Sequence, residues 1–228
     1  MALSVKFKAF SSHLLIAPPA QGKTFRCAQY LRMKDELFQN GPDIKNVIFF
    51  YSIWQDEYDK LQSEGIVTRF INMCPTAEQF SEIFSPFASE GQESIAIFDD
   101  FMNKMSDEIT EIITVRARHL KVNTFLLIQS LFQPGNKSMR QISLNVAYLH
   151  LFQNSRDMLQ FNYLFKQLLP QSSAWLKEAF YDLMKIPYAC LTIDLTPNCD
   201  PSLRYRTNIL PSEFPIKVFV QKGKAPLI

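Results

Sequence analysis

The chain alternates short apolar runs with segments whose apolar residues recur at helical spacing. Residues 13–17, 47–51 and 94–98 are nearly continuous apolar runs, as found in strands that are buried on both faces of a parallel sheet. Residues 23–39 and 76–89 place apolar side chains every three or four positions, which predicts helices. The repeated order of strand and helix predicts parallel strands joined by right-handed crossovers.

The rest of the chain continues this pattern and then becomes rich in strands. Further helices are predicted over 54–63, 105–119, 157–169 and 174–184, and further strands over 66–72, 124–128, 147–152, 189–195, 203–209 and 216–220. The segment between the strands at 124–128 and 147–152 is predicted to be a loop. We therefore expect an α/β fold with a mostly parallel sheet, flanking helices and a β-rich C-terminal edge.

Length and composition favour one globular domain. The 228 residues have a mass of 26.4 kDa, and 47% of them are hydrophobic while 20% are charged. We predict a single domain over residues 1–228, with a core at about 10–170 and a closing segment at about 171–228. The four cysteines form no C-x-x-C pair and no metal-binding spacing with the three histidines, so a reducing intracellular compartment fits best.

The sequence also indicates a soluble protein. No apolar run approaches the roughly 18 residues that a membrane-spanning helix needs. The first 15 residues lack the apolar core and cleavage site of a signal peptide. We therefore expect no membrane span and no secretion.

Charge is distributed unevenly along the chain, although the total is only +2. Residues 54–111 carry 13 acidic and 3 basic side chains, whereas residues 112–177 carry 8 basic and 1 acidic. A basic surface would suit a nucleic-acid partner. An ordinary solvated face explains the same numbers equally well.

The apolar run at 13–17 leads into a sequence that ends in Gly-Lys-Thr. A strand, a glycine-containing loop and a helix N-terminus together present backbone N–H groups to a polyphosphate. Gly22 would let the backbone approach the phosphates, Lys23 would reach the β and γ groups, and the Thr24 hydroxyl would bind Mg²⁺. The alternative is that Gly-Lys-Thr caps a surface helix. The predicted nucleotide-binding residues are Ala17, Pro18, Pro19, Ala20, Gln21, Gly22, Lys23, Thr24 and Phe25.

This loop departs from the strict phosphate-loop pattern, which has glycine where Ala17 stands. Alanine is the mildest replacement for glycine. Pro18 and Pro19 make the loop stiffer than usual, and neither proline can donate a backbone N–H.

Two other predicted strands end in polar residues suited to the same site. The strand at 94–98 runs into Asp99 and Asp100, and buried carboxylates are costly unless they are paired or bound to metal. Asp99 would hold Mg²⁺, and Asp100 would polarise the attacking water. Gln129, after the strand at 124–128, could sense the γ-phosphate. Alternatively, the acidic pair caps the next helix and Gln129 is an ordinary loop residue.

The order of these motifs resembles the viral DNA-packaging ATPases of the FtsK–HerA superfamily, both the poxvirus type and those of Maverick/Polinton-like elements and adintoviruses. The resemblance covers residues 10–210 through APPAQGKT, IAIFDD, the block that contains FQNSRDMLQF, and LTIDLTPNCDPSLRYRTNI. It implies a RecA-like (ASCE) P-loop NTPase core that hydrolyses Mg²⁺-ATP. It also implies a homo-oligomeric ring that pumps double-stranded DNA into a capsid.

The resemblance assigns roles to single residues. Lys23 and Thr24 correspond to the phosphate loop, Asp99 and Asp100 to the metal-binding and catalytic acids, and Gln129 to the sensor. Ring ATPases of this class also use an arginine from the adjacent subunit. Arg116 or Arg118 is our preferred candidate, and the alternatives are Arg140 and Arg156.

We also predict that Lys137 and Arg140 lie in a loop that faces a pore and contacts DNA without reading its sequence. The expected partners are therefore double-stranded DNA, further copies of the chain and capsid proteins. The expected location is the host nucleus or cytoplasm, or the virion.

Three hypotheses follow from the sequence. The first is a DNA-translocating packaging ATPase. The second is another P-loop enzyme, such as a helicase loader or a small-molecule phosphotransferase. The third is a nucleotide-binding or capsid-scaffold protein that does not catalyse hydrolysis, which the stiff proline-containing loop makes conceivable.

Overall fold

A computed structural model describes residues 5–101, 107–131, 137–154 and 158–221 of the chain. Its strands form one continuous sheet, numbered here in chain order. The strands are β1 Ser12–Ile16, β2 Ile44–Tyr51, β3 Arg69–Ile71, β4 Glu93–Asp99, β5 Val122–Ile128, β6 Tyr148–Phe152, β7 Cys190–Asp194, β8 Tyr205–Thr207 and β9 Lys217–Val218. The predicted strands are thus found, although β3, β8 and β9 are shorter than their apolar runs.

Helices connect the strands and cover both faces of the sheet. They are α1 Lys23–Arg32, α2 Lys34–Leu37, α3 Asp56–Ser63, α4 Ala77–Ser89, α5 Asp107–Glu111, α6 Ala117–His119, α7 Lys137–Asn145, α8 Met158–Leu168 and α9 Ser173–Leu183. A π-helical turn, Ile112–Arg116, joins α5 to α6. Helix α4 begins with a capping box, in which Thr76 and Gln79 each satisfy the backbone N–H of the other.

The prediction of a loop between the strands at 124–128 and 147–152 is wrong. Residues 137–145 form α7 rather than a loop. Met139 and Ile142 lie on its buried side, three residues apart, and Val146 follows after one more turn. Lys137 and Arg140 therefore belong to a helix. The structure does not describe their side chains, and Arg156 lies outside the described residues.

The sheet has the order β3-β2-β4-β5-β1-β6-β7-β8-β9. Strands β1 to β6 are mutually parallel, and β7, β8 and β9 are added in antiparallel orientation. Strand β5 lies between β1, which precedes the Gly-Lys-Thr loop, and β4, which ends in Asp99. The predicted α/β fold class, with a mostly parallel sheet, flanking helices and a β-rich C-terminal edge, is confirmed.

The alternation of side chains along the strands divides the core into two layers. Leu14 packs with α4, α5 and the later helices on one face, whereas Leu15 packs with α1 and α3 on the other. Both residues are fully buried. A sheet that is covered on both faces explains why its central strands are nearly continuous apolar runs.

The register brings three strand ends to the same edge of the sheet. Ile16 of β1 pairs with Ile128 of β5, and Asp99 of β4 pairs with Leu127 of β5. Ligands of open α/β sheets bind outside the carboxyl ends of the strands, so this edge is where a site is expected.

Candidate functional site

The loop after β1 passes over the carboxyl edge of the sheet and into α1. The N–H of Ala17 donates to the Ile128 carbonyl at 3.1 Å, which extends the β1–β5 pairing by one residue. Ala17 is fully buried, so the structure accommodates a methyl group where the strict pattern has glycine. Left-handed backbone at Ala20 (φ 62°) and Gly22 (φ 80°) then turns the chain into the helix.

Lys23 and Thr24, in the first turn of α1, both face Asp99 at the end of β4. The Thr24 hydroxyl donates to Asp99 Oδ2 at 3.0 Å, and Lys23 Nζ lies 3.8 Å from Asp99 Oδ1. The structure therefore brings the predicted phosphate-binding lysine, the predicted Mg²⁺ hydroxyl and the predicted Mg²⁺ carboxylate together.

The environment of Asp99 suits a divalent cation. Its side chain is fully buried, and Oδ1 has no hydrogen-bond partner among the described residues. Burial raises the pKa of this carboxyl, while Lys23 and the hydrogen bonds from Tyr58 and Thr24 act to lower it. A buried oxygen that lacks a partner is costly unless a ligand such as Mg²⁺ satisfies it.

The donor set favours Mg²⁺ over a metal held by protein ligands alone. Within the described ranges, no three His, Cys, Asp or Glu side chains are grouped so that they could hold a metal ion. Mg²⁺ at nucleotide sites commonly uses one or two protein oxygens, with phosphates and waters completing its shell. Thr24 and Asp99 fit that role.

Tyr58 of α3 is a part of this site that the sequence did not reveal. Its hydroxyl donates to Asp99 Oδ2 at 2.9 Å, and its side chain is fully buried. Burial raises the pKa of Tyr58, and the negative charge of Asp99 raises it further, so the hydroxyl keeps its proton. Tyr58 and Thr24 thus fix Asp99 Oδ2, whereas Oδ1 stays buried without a hydrogen-bond partner among the described residues, 3.8 Å from Lys23 Nζ.

Replacing Tyr58 with phenylalanine should weaken Mg²⁺-dependent nucleotide binding by about 10- to 100-fold, as expected when a group that orients a metal ligand is removed. The measurement is nucleotide affinity as a function of Mg²⁺ concentration. Tyr51→Phe is the matched control, because the Tyr51 ring packs 5.7 Å from that of Tyr58 in the same aromatic group. Equal Mg²⁺ dependence in both variants would remove Tyr58 from the site.

Asp100 and Gln129 meet across the ends of β4 and β5. Gln129 Nε2 donates to Asp100 Oδ1 at 3.1 Å, and both side chains are half-buried. Asp100 has a left-handed backbone (φ 65°), which sharply redirects the chain after the strand. The predicted catalytic acid and the predicted sensor therefore touch each other.

A cleft of about 310 Å³ collects these groups at the carboxyl edge of the sheet. It contains the two acids, Gln129 and the predicted loop except for Ala17 and Gln21, which do not line it. It also contains Gln55, which the sequence did not single out. The lining residues are Pro18, Pro19, Ala20, Gly22, Lys23, Thr24, Phe25, Gln55, Asp99, Asp100 and Gln129. Gln55 could not be found from a strand end because it lies four residues beyond β2, at the start of α3.

Arg116 and Arg118 do not line this cleft. Arg116 contacts Glu111 at 2.7 Å and the Ser81 hydroxyl at 3.1 Å, on the helical layer beside α4. Arg118 is exposed and lines a separate cavity with Ser12 and Val122, at the amino ends of β1 and β5. Neither arginine reaches the cleft of its own chain, so a role in catalysis would require a second subunit.

No helix in the described parts of the chain is both long and apolar enough to cross a membrane.

Neither the known protein-family models nor the curated proteins include a match to this chain. Among solved structures, the chain is similar to the crystal structure of the KaiC-like protein PH0186 from the hyperthermophilic archaeon Pyrococcus horikoshii OT3. The identity is 11%, the match covers 93% of this chain and 91% of that chain, and the TM-score is 0.46. Strand β5 lies between β1 and β4, and Lys23 of the Gly-Lys-Thr sequence begins α1 directly after β1 and its loop.

Proposed function

We propose that this protein hydrolyses Mg²⁺-ATP and uses the energy to translocate double-stranded DNA during the packaging of a viral or virus-like genome. The contact between Asp100 and Gln129 is the observation that carries the hydrolytic part. The carboxylate that we propose to polarise water and the amide that we propose to contact the γ-phosphate lie side by side, in the cleft that Lys23 and Asp99 also line, which supports hydrolysis.

Each residue in the cleft has a distinct task in this proposal. Lys23 would bind the β- and γ-phosphates, and Thr24 and Asp99 would hold Mg²⁺. Bound Mg²⁺ supplies positive charge that offsets the charge developing on the phosphoryl group. Asp100 would accept a proton from the attacking water, and the Gln129 amide would orient that water and contact the γ-phosphate.

The DNA-related part of the proposal is supported by the sequence resemblance to packaging ATPases. The basic stretch at 112–177 provides charge for contacts to a phosphate backbone, and such contacts are independent of base sequence. Lys137 and Arg140, now placed on α7, remain our candidates for these contacts. Capsid proteins are the proposed partners on the particle side, in the host cell or the virion.

The proposal includes a homo-oligomeric ring. Because Arg116 and Arg118 lie away from their own cleft, either could serve only the cleft of an adjacent subunit. In that position an arginine would stabilise negative charge on the transferring phosphoryl group.

The direct test is an ATPase assay on a size-resolved sample, with and without double-stranded DNA. We expect an oligomeric fraction whose ATPase rate rises when DNA is added. A monomer that hydrolyses ATP at a rate independent of DNA would favour another P-loop enzyme. ATP binding without turnover, in every fraction, would favour a non-catalytic nucleotide-binding protein.

Replacing Asp100 with asparagine should leave ATP binding nearly intact and slow hydrolysis by at least about 100-fold, because asparagine cannot accept the proton of the attacking water. Equilibrium binding and single-turnover hydrolysis, measured on the same sample, separate the two effects. Asp43→Asn is the control, since Asp43 is exposed before β2 and lies outside the cleft. An unchanged kcat in Asp100→Asn would exclude Asp100 as the carboxylate that accepts this proton.

A further inference from the structure

A second, larger cavity adjoins the phosphate cleft. Its volume is about 590 Å³, within the range of small-molecule sites. It shares Ala20, Gly22 and Phe25 with the cleft. Its remaining walls come from Arg26 of α1, from Phe152 at the end of β6, and from two segments far away in the sequence, residues 183–190 and 207–213.

The backbone around this cavity is held in unusual conformations. Ala20, Gly22, Tyr188 and Asn208 all have positive φ angles, between 57° and 80°, and all four line it. A left-handed backbone is uncommon for any residue other than glycine and is least expected for a bulky one such as tyrosine. Conformations of this kind cluster at ligand sites, where the surrounding structure enforces them.

Arg26 of α1 holds the three segments together. Its guanidinium forms an ion pair with Glu213 at 2.7 Å and donates to the backbone carbonyl of Tyr188 at 3.4 Å. Only 9% of Arg26 is exposed. The buried guanidinium of Arg26 therefore fixes the position of Tyr188 relative to the phosphate loop, and with it the shape of the cavity.

Two aromatic side chains that line the cavity are more than half exposed to solvent. Phe25 is 56% exposed and Tyr188 is 63% exposed, although both line the cavity. A Cβ placed on Gly22 would lie 3.4 Å from Cδ1 of Tyr188, so this ring leans directly on the phosphate loop. The inner wall is apolar and buried, with Phe152 and Cys190.

We propose that this cavity receives the aromatic base of the nucleotide, and that Tyr188 and Phe25 stack on it. The inference rests on the proposed function in one respect, namely that the phosphates occupy the adjoining loop. Continuity between cleft and cavity at Gly22 places the base beside α1, and a planar aromatic ligand is the chemistry that two exposed rings and an apolar wall recognise. Stacking on a π-face also explains why Tyr188 is exposed beside a glycine.

The test compares ATP with inorganic tripolyphosphate, which carries the phosphates and lacks the base. Tyr188→Ala should weaken ATP binding about 10-fold, in the range expected for the loss of one stacking partner, and should change tripolyphosphate binding less than 2-fold. Tyr188→Phe should bind ATP as the unmodified chain does, because stacking needs the ring and not the hydroxyl. Tyr163→Ala is the matched control, since Tyr163 is 68% exposed on α8 and lies outside both cavities.

Alanine at position 188 could destabilise the fold, because Tyr188 has a left-handed backbone. Tyr188→Gly controls for this effect, since glycine adopts the left-handed backbone without strain and also removes the ring. Both truncations should therefore show the same selective loss of ATP binding. Equal losses for ATP and tripolyphosphate, or no loss for ATP, would overturn the base site. The proposed function fails separately, if neither ATP nor tripolyphosphate binds the unmodified protein or if Lys23→Ala binds both as well as the unmodified protein does.

Discussion

Replacing Lys23 with alanine should reduce ATP turnover at least about 1000-fold. Lys23 is a cationic side chain that lines the phosphate cleft beside Asp99, and its Nζ lies 3.8 Å from Asp99 Oδ1. Without Lys23, the polyphosphate would enter a cleft that contains the carboxylates of Asp99 and Asp100. Removing one preorganised donor from a developing charge typically slows catalysis by 100- to 1000-fold, and here a full charge is lost as well.

The measurement is steady-state ATP hydrolysis together with nucleotide binding. Lys45→Ala is the matched control, because Lys45 is an exposed lysine whose ammonium donates to the Pro42 carbonyl at the other end of β2. We expect the control to hydrolyse ATP at the unmodified rate. Turnover in Lys23→Ala equal to that of Lys45→Ala would remove Lys23 from the site.

The sequence predicted the framework of this site because its parts lie at the ends of buried strands. Ile16, Asp99 and Ile128 each end or nearly end an apolar run, and parallel strands carry their ends to one edge. Polar residues that directly follow such runs must lie together, whatever the details of the helices. Local sequence was therefore sufficient to predict that Lys23, Asp99 and Gln129 lie at this edge of the sheet.

Other parts of the site depend on tertiary contacts that no local pattern records. Tyr58 falls at an ordinary apolar position of α3, and only the folded chain shows that its hydroxyl donates to Asp99. Tyr188 reaches the loop through the Arg26 contact, from a segment more than 150 residues away. Helix α7 was missed because its Ser and Asn residues favour loops, while its buried face is set by packing against the sheet.

A buried histidine pair gives the second large expected effect, on stability. His13 of β1 and His150 of β6 are fully buried, with Nδ1 of His13 lying 3.1 Å from Nε2 of His150. The chain of hydrogen bonds continues to Ser11 at one end and to Tyr30 at the other. Because each ring nitrogen has a partner in an interior position, the pair can remain only if both rings stay uncharged.

Both histidine pKa values are held well below the usual 6.5. Burial is the main cause for each, and charge repulsion adds to it, from Arg206 on both rings, from His150 on His13 and from Arg26 on His150. Below pH 6.5 both histidines are protonated in the unfolded chain, whereas they remain neutral in the folded chain. The histidine pair therefore does not reduce the free energy of unfolding above about pH 6.5. Below that pH, the free energy of unfolding falls as the pH drops towards the folded-state pKa values.

The expected slope is large because two groups titrate together. With two extra protons bound in the unfolded state, the free energy of unfolding should fall by up to about 2.7 kcal/mol per pH unit below pH 6. Urea unfolding between pH 8 and pH 5 measures this slope directly. His150→Gln should roughly halve it, whatever its effect on stability at pH 8, since one titrating group is gone.

His119→Gln is the matched control, because His119 is exposed at the end of α6 and is not part of the buried pair. The comparison relies on slopes rather than absolute stabilities, so a variant that is less stable at every pH still reports on protonation. A free energy of unfolding that stays constant from pH 7 to pH 5 would mean that the buried pair accepts protons in the folded state. In that case the Ser11–His13–His150–Tyr30 chain would have to open without unfolding the sheet around it.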